Sequence, residues 1–226
     1  MQKKTWEFIM AVLLLAALVF VSKEDGILAG AVASNQEGIV IDPGHGGIDS
    51  GKLGINNSLE KEINLQISKK LKGYLEQEKI KVSMTREDDN GLYSEKAYNK
   101  KAEDMQKRCQ IISQENPMLT VSIHQNSFED ESVDGPQVFY YEESPEGKSA
   151  AECIQEELNL FVGEDRARQI KSNDNYYMLK KTSSPTVIVE CGFLSNWEEA
   201  KLLSSEEYQK QIAEVICKGI IKYLEK

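Results

Sequence analysis

Two residues carry the first chemical signal, because they are the chain's only histidines. His45 follows Ile39-Val40-Ile41-Asp42-Pro43-Gly44, and His124 follows Leu119-Thr120-Val121-Ser122-Ile123. Both runs are apolar, rich in β-branched residues and of strand length, so each histidine is expected at the end of a buried strand. Such ends are where α/β folds place their sites. Glu190 closes a third run, Pro185-Thr186-Val187-Ile188-Val189, and Glu60 stands at the start of an amphipathic stretch. A lone histidine reads most simply as a satisfied core or surface group. Two at strand ends, accompanied by two carboxylates, read as a site.

Neutral imidazole and carboxylate are the ligands that catalytic zinc uses, three from the protein with a fourth position left open. The metal acidifies water and polarises a carbonyl under attack. His45, Glu60 and His124 supply a His-Glu-His set for Zn2+. Their separation excludes the compact motif in which both histidines share one helix face. The ligands must be gathered from two strand ends and a helix start. Gly44, Gly46 and Gly47 fit that demand, since glycine permits a sharp turn and close backbone approach. Glu190 is costly at the end of an apolar strand unless it is paired or functional. A rival reading makes Cys191 a nucleophile with a histidine base, but it leaves both glutamates and the second histidine without work.

The elements that must position these groups alternate between two periods. Strands are expected at 38–42, 81–85, 119–123, 137–141 and 185–190. Leu59, Ile63, Ile67, Leu71 and Leu75 recur every four residues and predict an amphipathic helix over 59–78. Further helices are expected over 94–116, ended by Pro117, over 144–161, and over 204–224 behind a capping box at Ser204 and Glu207. The segment 163–174 has no clear period and is expected to be a loop near the cleft. Alternating strands and helices predict an α/β fold, with a mostly parallel central sheet covered by helices on both faces, in a single catalytic domain.

At this level of detail the chain resembles the zinc-dependent N-acetylmuramoyl-L-alanine amidases of the type-3 amidase family. The matching residues run from Ile39 to Leu224. They include Ile41-Asp42-Pro43-Gly44-His45-Gly46-Gly47, Asp49, Gly51 and Gly54, then Glu60-Lys61, Asn64-Leu65, Thr85-Arg86, Asp88 and Asp89. Arg108, Val121-Ser122-Ile123-His124, Asn126, Gly135 and Pro185 continue the series, which closes with Val189-Glu190-Cys191-Gly192-Phe193-Leu194-Ser195-Asn196. The resemblance implies that His45, Glu60 and His124 bind zinc and that Glu190 is the catalytic carboxylate. It implies peptidoglycan as substrate, cut between the lactyl group of N-acetylmuramic acid and L-alanine. Two positions depart from the family's habit. Gln125 stands where alanine is common, and Ser113 where asparagine is common. The segment Gln125-Asn126-Ser127-Phe128 is most similar to the germination-specific, spore-cortex branch, in which stem removal leads to muramic-δ-lactam. A general cell-separation autolysin and a catalytically inactive wall-binding module are the alternatives; the intact set of four site residues argues against the second.

Composition bounds the rest. A chain of 226 residues suits one domain with a sizeable core. Lys3-Lys4, the apolar run Phe8–Val21 and the small residues Ala29-Gly30-Ala31-Val32-Ala33 have the layout of an export signal. The apolar run is shorter than the roughly 20 residues of a full span. Residues 1–33 are therefore expected to be a signal peptide or an N-terminal membrane anchor, and 34–226 the amidase domain, placed outside the cytoplasm at the cell wall or between the two membranes of a developing spore. Removing 1–33 deletes three lysines and three acids, so the net charge of −10 is unchanged. That charge excludes electrostatic attraction to nucleic acid or to an anionic wall. No wall-binding domain is expected, so the cleft, a membrane anchor or an accessory protein must hold the enzyme on its substrate. Cys109, Cys153 and Cys217 fall in helical stretches and are expected to be small buried hydrophobes, while Cys191 should point away from Glu190 to the opposite sheet face.

Overall fold

The computed structural model describes residues 37–226. The expected leader, 1–33, and its boundary with 34–226 lie outside the described residues. Among the described residues no helix is long and apolar enough to cross a membrane.

Six strands form one sheet: β1 (Ile39–Pro43), β2 (Val82–Met84), β3 (Leu119–Asn126), β4 (Gln137–Tyr140), β5 (Lys171–Ser172) and β6 (Thr186–Phe193). Their order is β2-β1-β3-β6-β4-β5. The first four in that order are mutually parallel, β4 runs antiparallel to β6, and β5 is parallel to β4. The helices are α1 (Glu60–Gln77), α2 (Lys100–Glu115), α3 (Pro145–Val162), α4 (Tyr177–Lys181), α5 (Trp197–Leu203) and α6 (Glu206–Leu224). The expected α/β architecture with a mostly parallel sheet is what the chain adopts.

The two sheet faces are covered unequally. On one, Ile39, Ile41, Val121, Ile123, Val187 and Val189 pack with α1, α3 and α6 into the main core. The apolar stripe Ile63, Ile67, Leu71 and Leu75 of α1 is fully committed to it, as the four-residue spacing predicts. On the other face, two small clusters are separated from each other. Val40, Cys109, Ile112 and Met178 form one, and Phe139, Leu179 and Ile188 the other. Helices α2 and α4 supply that thin cover. All four cysteines are buried and free, and Cys191 lies in the main core as expected.

Several boundaries differ from expectation. Helix α2 starts at Lys100, because Asn99 caps it by accepting from Ala102 N. Residues 92–99 instead fold back on the start of the helix, where Ser94 N donates to Glu103 and Leu92 N to Asp104. Helix α6 is capped by Ser205, not Ser204, whose hydroxyl donates to Ala200 O at the end of α5. Helices α4 and α5 are too short to show a period. The segment 163–174 is not a cleft loop. It makes a 3-10 turn at Glu164–Arg166, then β5, and packs along the sheet edge, where Gln137 Nε2 donates to Gln169 O.

Candidate active site

His45 leaves β1 in a left-handed conformation, φ 62°. Histidine is among the residues that tolerate it, though such strain persists only where neighbours enforce it. Here the enforcement is explicit. Pro43 O accepts from Arg86 Nε at 3.0 Å and Arg108 Nη1 at 2.7 Å. Gly44 O accepts from Arg86 Nη2 at 2.9 Å and Asn64 Nδ2 at 3.1 Å, and His45 O from Arg108 Nη2 at 2.5 Å. Two buried guanidinium groups thus hold three successive carbonyls of the histidine loop. Gly44 is required for a different reason: a Cβ there would collide with the His124 ring.

Three side chains converge beyond that loop. His45 Nδ1 lies 3.0 Å from Asp49 Oδ2, which leaves Nε2 facing Glu60 Oε2 at 3.1 Å. His124 Nδ1 lies 3.0 Å from Glu60 Oε1. The two rings meet edge to face at 4.9 Å. One potential ligand atom from each of His45, Glu60 and His124 lies within 4.8 Å of the others, a cluster that fits a metal ion. Glu60 opens α1 and is only 2% exposed. Its Oε2 accepts from Lys52 N at 2.8 Å and its Oε1 from Gln125 N at 3.1 Å, so its orientation is fixed before any ligand arrives. Burial alone would raise this carboxyl's pKa, but the two imidazoles pull it far below the ordinary carboxylate range. Burial likewise opposes ionisation of Asp49, yet Lys101 and His45 hold it at about 2. A fixed carboxylate on the outer nitrogen of a ligating histidine sets its tautomer.

Glu190 stands beside this cluster. It pairs in register with His124 across the β3–β6 ladder and with Gln137 of β4 on its other side. The carboxyl is 7% exposed and its Oε2 has no hydrogen-bond partner. Burial pushes its pKa up to about 7, with Glu60's charge adding and His124 and His45 opposing. Neither His124 nor Glu190 ends its strand, contrary to expectation. The polar stretch His124-Gln125-Asn126 continues β3, and Cys191-Gly192-Phe193 continues β6. His45, Glu60, His124 and Glu190 all line one cavity of about 410 Å³.

Several residues of the site escaped a role in the sequence reading. Arg108 had a usable signal: it falls on the apolar stripe with Met105, Cys109 and Ile112, where a charge needs a buried partner. Asp42 is that partner, at 2.7 Å, and also accepts from Thr85 and Ser122. Gln125, which departs from the family's habit, donates to Asn64 Oδ1 at 3.1 Å, and Asn64 in turn donates to Glu60 Oε1 at 3.3 Å. Tyr176 lines the cavity and had no signal in the sequence.

Comparison with known proteins accords with this geometry. The chain is 38% identical over 188 residues to the germination-specific N-acetylmuramoyl-L-alanine amidase of Bacillus subtilis (strain 168), covering 82% of this chain and 78% of that one. It is 43% identical to the CwlD amidase from Clostridioides difficile, solved in complex with the GerS lipoprotein, with a TM-score of 0.81 over 84% of this chain and 99% of that one. The catalytic domain of CwlV, an N-acetylmuramoyl-L-alanine amidase from Bacillus (Paenibacillus) polymyxa var. colistinus, superposes with a TM-score of 0.73 at 30% identity, over 84% and 99% of the two chains. The profile of one family matches residues 39–222, nearly everything from β1 to the end of α6, and by that match the chain belongs to the N-acetylmuramoyl-L-alanine amidases.

Proposed function

We propose that His45, Glu60 and His124 hold a zinc ion, and that Glu190 moves the proton in hydrolysis of the amide between the N-acetylmuramic acid lactyl group and L-alanine. The observation that carries the mechanism is Glu190 Oε2, a buried carboxylate oxygen without a partner beside a three-ligand cluster. An N,N,O donor set with an open position is the composition of catalytic zinc sites. When bound, zinc supplies Lewis-acid polarisation of the amide carbonyl and acidifies water at the site. Glu190 accepts the proton of the attacking water and delivers it to the departing nitrogen, which leaves poorly unless protonated. Its elevated pKa suits a group that must both take and give a proton near neutrality. Asp49 and Lys52 N keep His45 and Glu60 oriented through the cycle.

The physiological reading is spore-cortex maturation leading to muramic-δ-lactam. It is supported by Gln125-Asn126-Ser127-Phe128 and by the likeness to a germination-specific relative. This substrate implies export and action at the wall, with residues 1–33 as the route. The solved complex of the related C. difficile amidase with a lipoprotein supports an accessory protein for this chain as well. Muropeptide analysis of spores lacking the gene tests the role. The expected result is a cortex without muramic-δ-lactam and normal vegetative separation. Normal lactam, or chains of unseparated cells, would move the assignment to a general autolysin.

A further inference from the structure

A second cavity, of about 110 Å³, opens off the metal cluster and shares His124, Tyr176 and Glu190 with the larger one. Its floor is a square of four side chains on one sheet face. Ser122 and His124 of β3 lie beside Ile188 and Glu190 of β6, and these are register partners. Met105 of α2, Tyr176, and Tyr177 and Met178 of α4 complete the lining. The walls therefore change character along the slot. His124, Tyr176 and Glu190 belong to both cavities, whereas Ile188, Tyr177 and Met178 line the smaller one without the larger, and Met105 is shared with a third cavity that His45 lines. Ser122 does not make the unshared part polar, because its hydroxyl is committed to Asp42 at 2.7 Å. Neither metal binding nor proton transfer has any use for these apolar walls.

The geometry points to this slot as the site that receives the aliphatic side chain of the residue on the amine side of the scissile bond, the first residue of the stem peptide. The inference rests on the amidase reading above. Glu190 serves the departing nitrogen, so that nitrogen lies against Glu190, at the slot's mouth. The nitrogen's own α-carbon comes next, and its side chain enters the slot while the stem continues along the larger cavity. An L-residue and a D-residue direct their side chains to opposite sides, so the slot reads configuration as well as polarity. A water's share of liquid volume is about 30 Å³. A slot of about 110 Å³ therefore accepts more than a methyl group, and the reading commits to tolerance of one extra methylene.

The test uses the zinc-loaded full-length protein and synthetic muramoyl peptides whose first residue is glycine, L-alanine, L-2-aminobutyrate, L-leucine or D-alanine. One buried methyl discriminates by about 10–200-fold. The expected kcat/KM is therefore at least about tenfold higher for L-alanine than for glycine, with L-2-aminobutyrate within about threefold of L-alanine and D-alanine poor. Met178→Phe, which narrows the slot, should lower the alanine-to-glycine ratio at least about threefold and cut L-2-aminobutyrate relative to L-alanine. Met105→Ala, which enlarges it, should raise the leucine-to-alanine ratio about tenfold or more, a gain that misfolding does not mimic. A lactyl-to-glycolyl exchange on the carbonyl side should be indifferent to both variants. The inference is overturned if both variants leave the first-residue ratios unchanged, or if the lactyl-to-glycolyl ratio moves instead. If the wild type cleaves none of these peptides and no peptidoglycan, the amidase reading itself fails.

Discussion

Arg108 offers the sharpest test of how the site is held. Its side chain is 1% exposed, and it donates from Nε to Asp104 at 2.6 Å, from Nη1 to Asp42 and Pro43 O at 2.7 Å each, and from Nη2 to His45 O at 2.5 Å. Arg108→Met keeps most of the volume but strands Asp42, itself 1% exposed, with only the hydroxyls of Thr85 and Ser122. Breaking one side of a buried pair costs about 3–5 kcal/mol. The loss depends on pH in a defined direction. In the wild type, Asp42 is held below the ordinary carboxylate range, against its burial, by Arg108 and the two hydroxyls. It therefore stabilises the fold above that range and ceases to as pH falls through the depressed value. In Arg108→Met, burial would raise Asp42, so the penalty is full above the raised value and fades on acidification. Urea unfolding across pH measures both. The decisive variant is Asp42→Asn/Arg108→Met, which removes both charges and should recover most of the lost stability. It should not recover zinc affinity, expected to remain about 10–100-fold weak because the His45 carbonyl has lost its donor. If zinc affinity by chelator competition returns together with stability, Arg108 only neutralises Asp42, and the idea of a carbonyl clamp is wrong.

Three further outcomes follow from the site. His124→Ala should lose metal and activity together; a fully zinc-loaded, active variant would refute the ligand assignment. Glu190→Gln should keep fold and zinc content but lose at least about 10²-fold in kcat on peptidoglycan, the usual scale for a general acid–base group. Gly51→Ala should cost about 1–3 kcal/mol in thermal unfolding and weaken zinc binding, because Gly51 sits at φ 67° and a Cβ would press on Glu60 and His45.

The parts of the fold that were legible are those where hydropathy has a period. Strands β1, β3 and β6 and helices α1, α3 and α6 announced themselves, and with them the neighbourhood of both histidines. The expected strand ends fell short because apolar alternation stops at Ile123 and the unbroken apolar run at Val189, whereas backbone pairing continues through Asn126 and Phe193. Pairing needs amide groups, not apolar side chains, and the polar residues it carries here are those of the site. Short elements leave too few residues to show a period, so α4, α5 and β5 went unread. The clustering of His45 and His124 was legible because histidine is scarce in this chain. Their supports were not, since what makes Asn64, Arg86 and Gln125 structural is a partner distant in sequence.

The alternation of β3 and β6 has a consequence for what this sequence can tolerate. Val189 and Cys191 face the thick core while Glu190 between them faces the cleft, and Ile123 and His124 divide in the same way. Odd and even positions thus answer to different demands along one backbone. Exchanging apolar residues of the core parity leaves the cleft parity untouched, so the core is free to drift. Inserting or deleting a single residue early in either strand does the reverse. It turns an imidazole or a carboxylate into the core and an isoleucine or a valine into the cleft, ending fold and function in one step. Lineages of this domain are therefore expected to vary in length at connections such as 127–136 and 173–176, and to keep the lengths of β3 and β6 fixed.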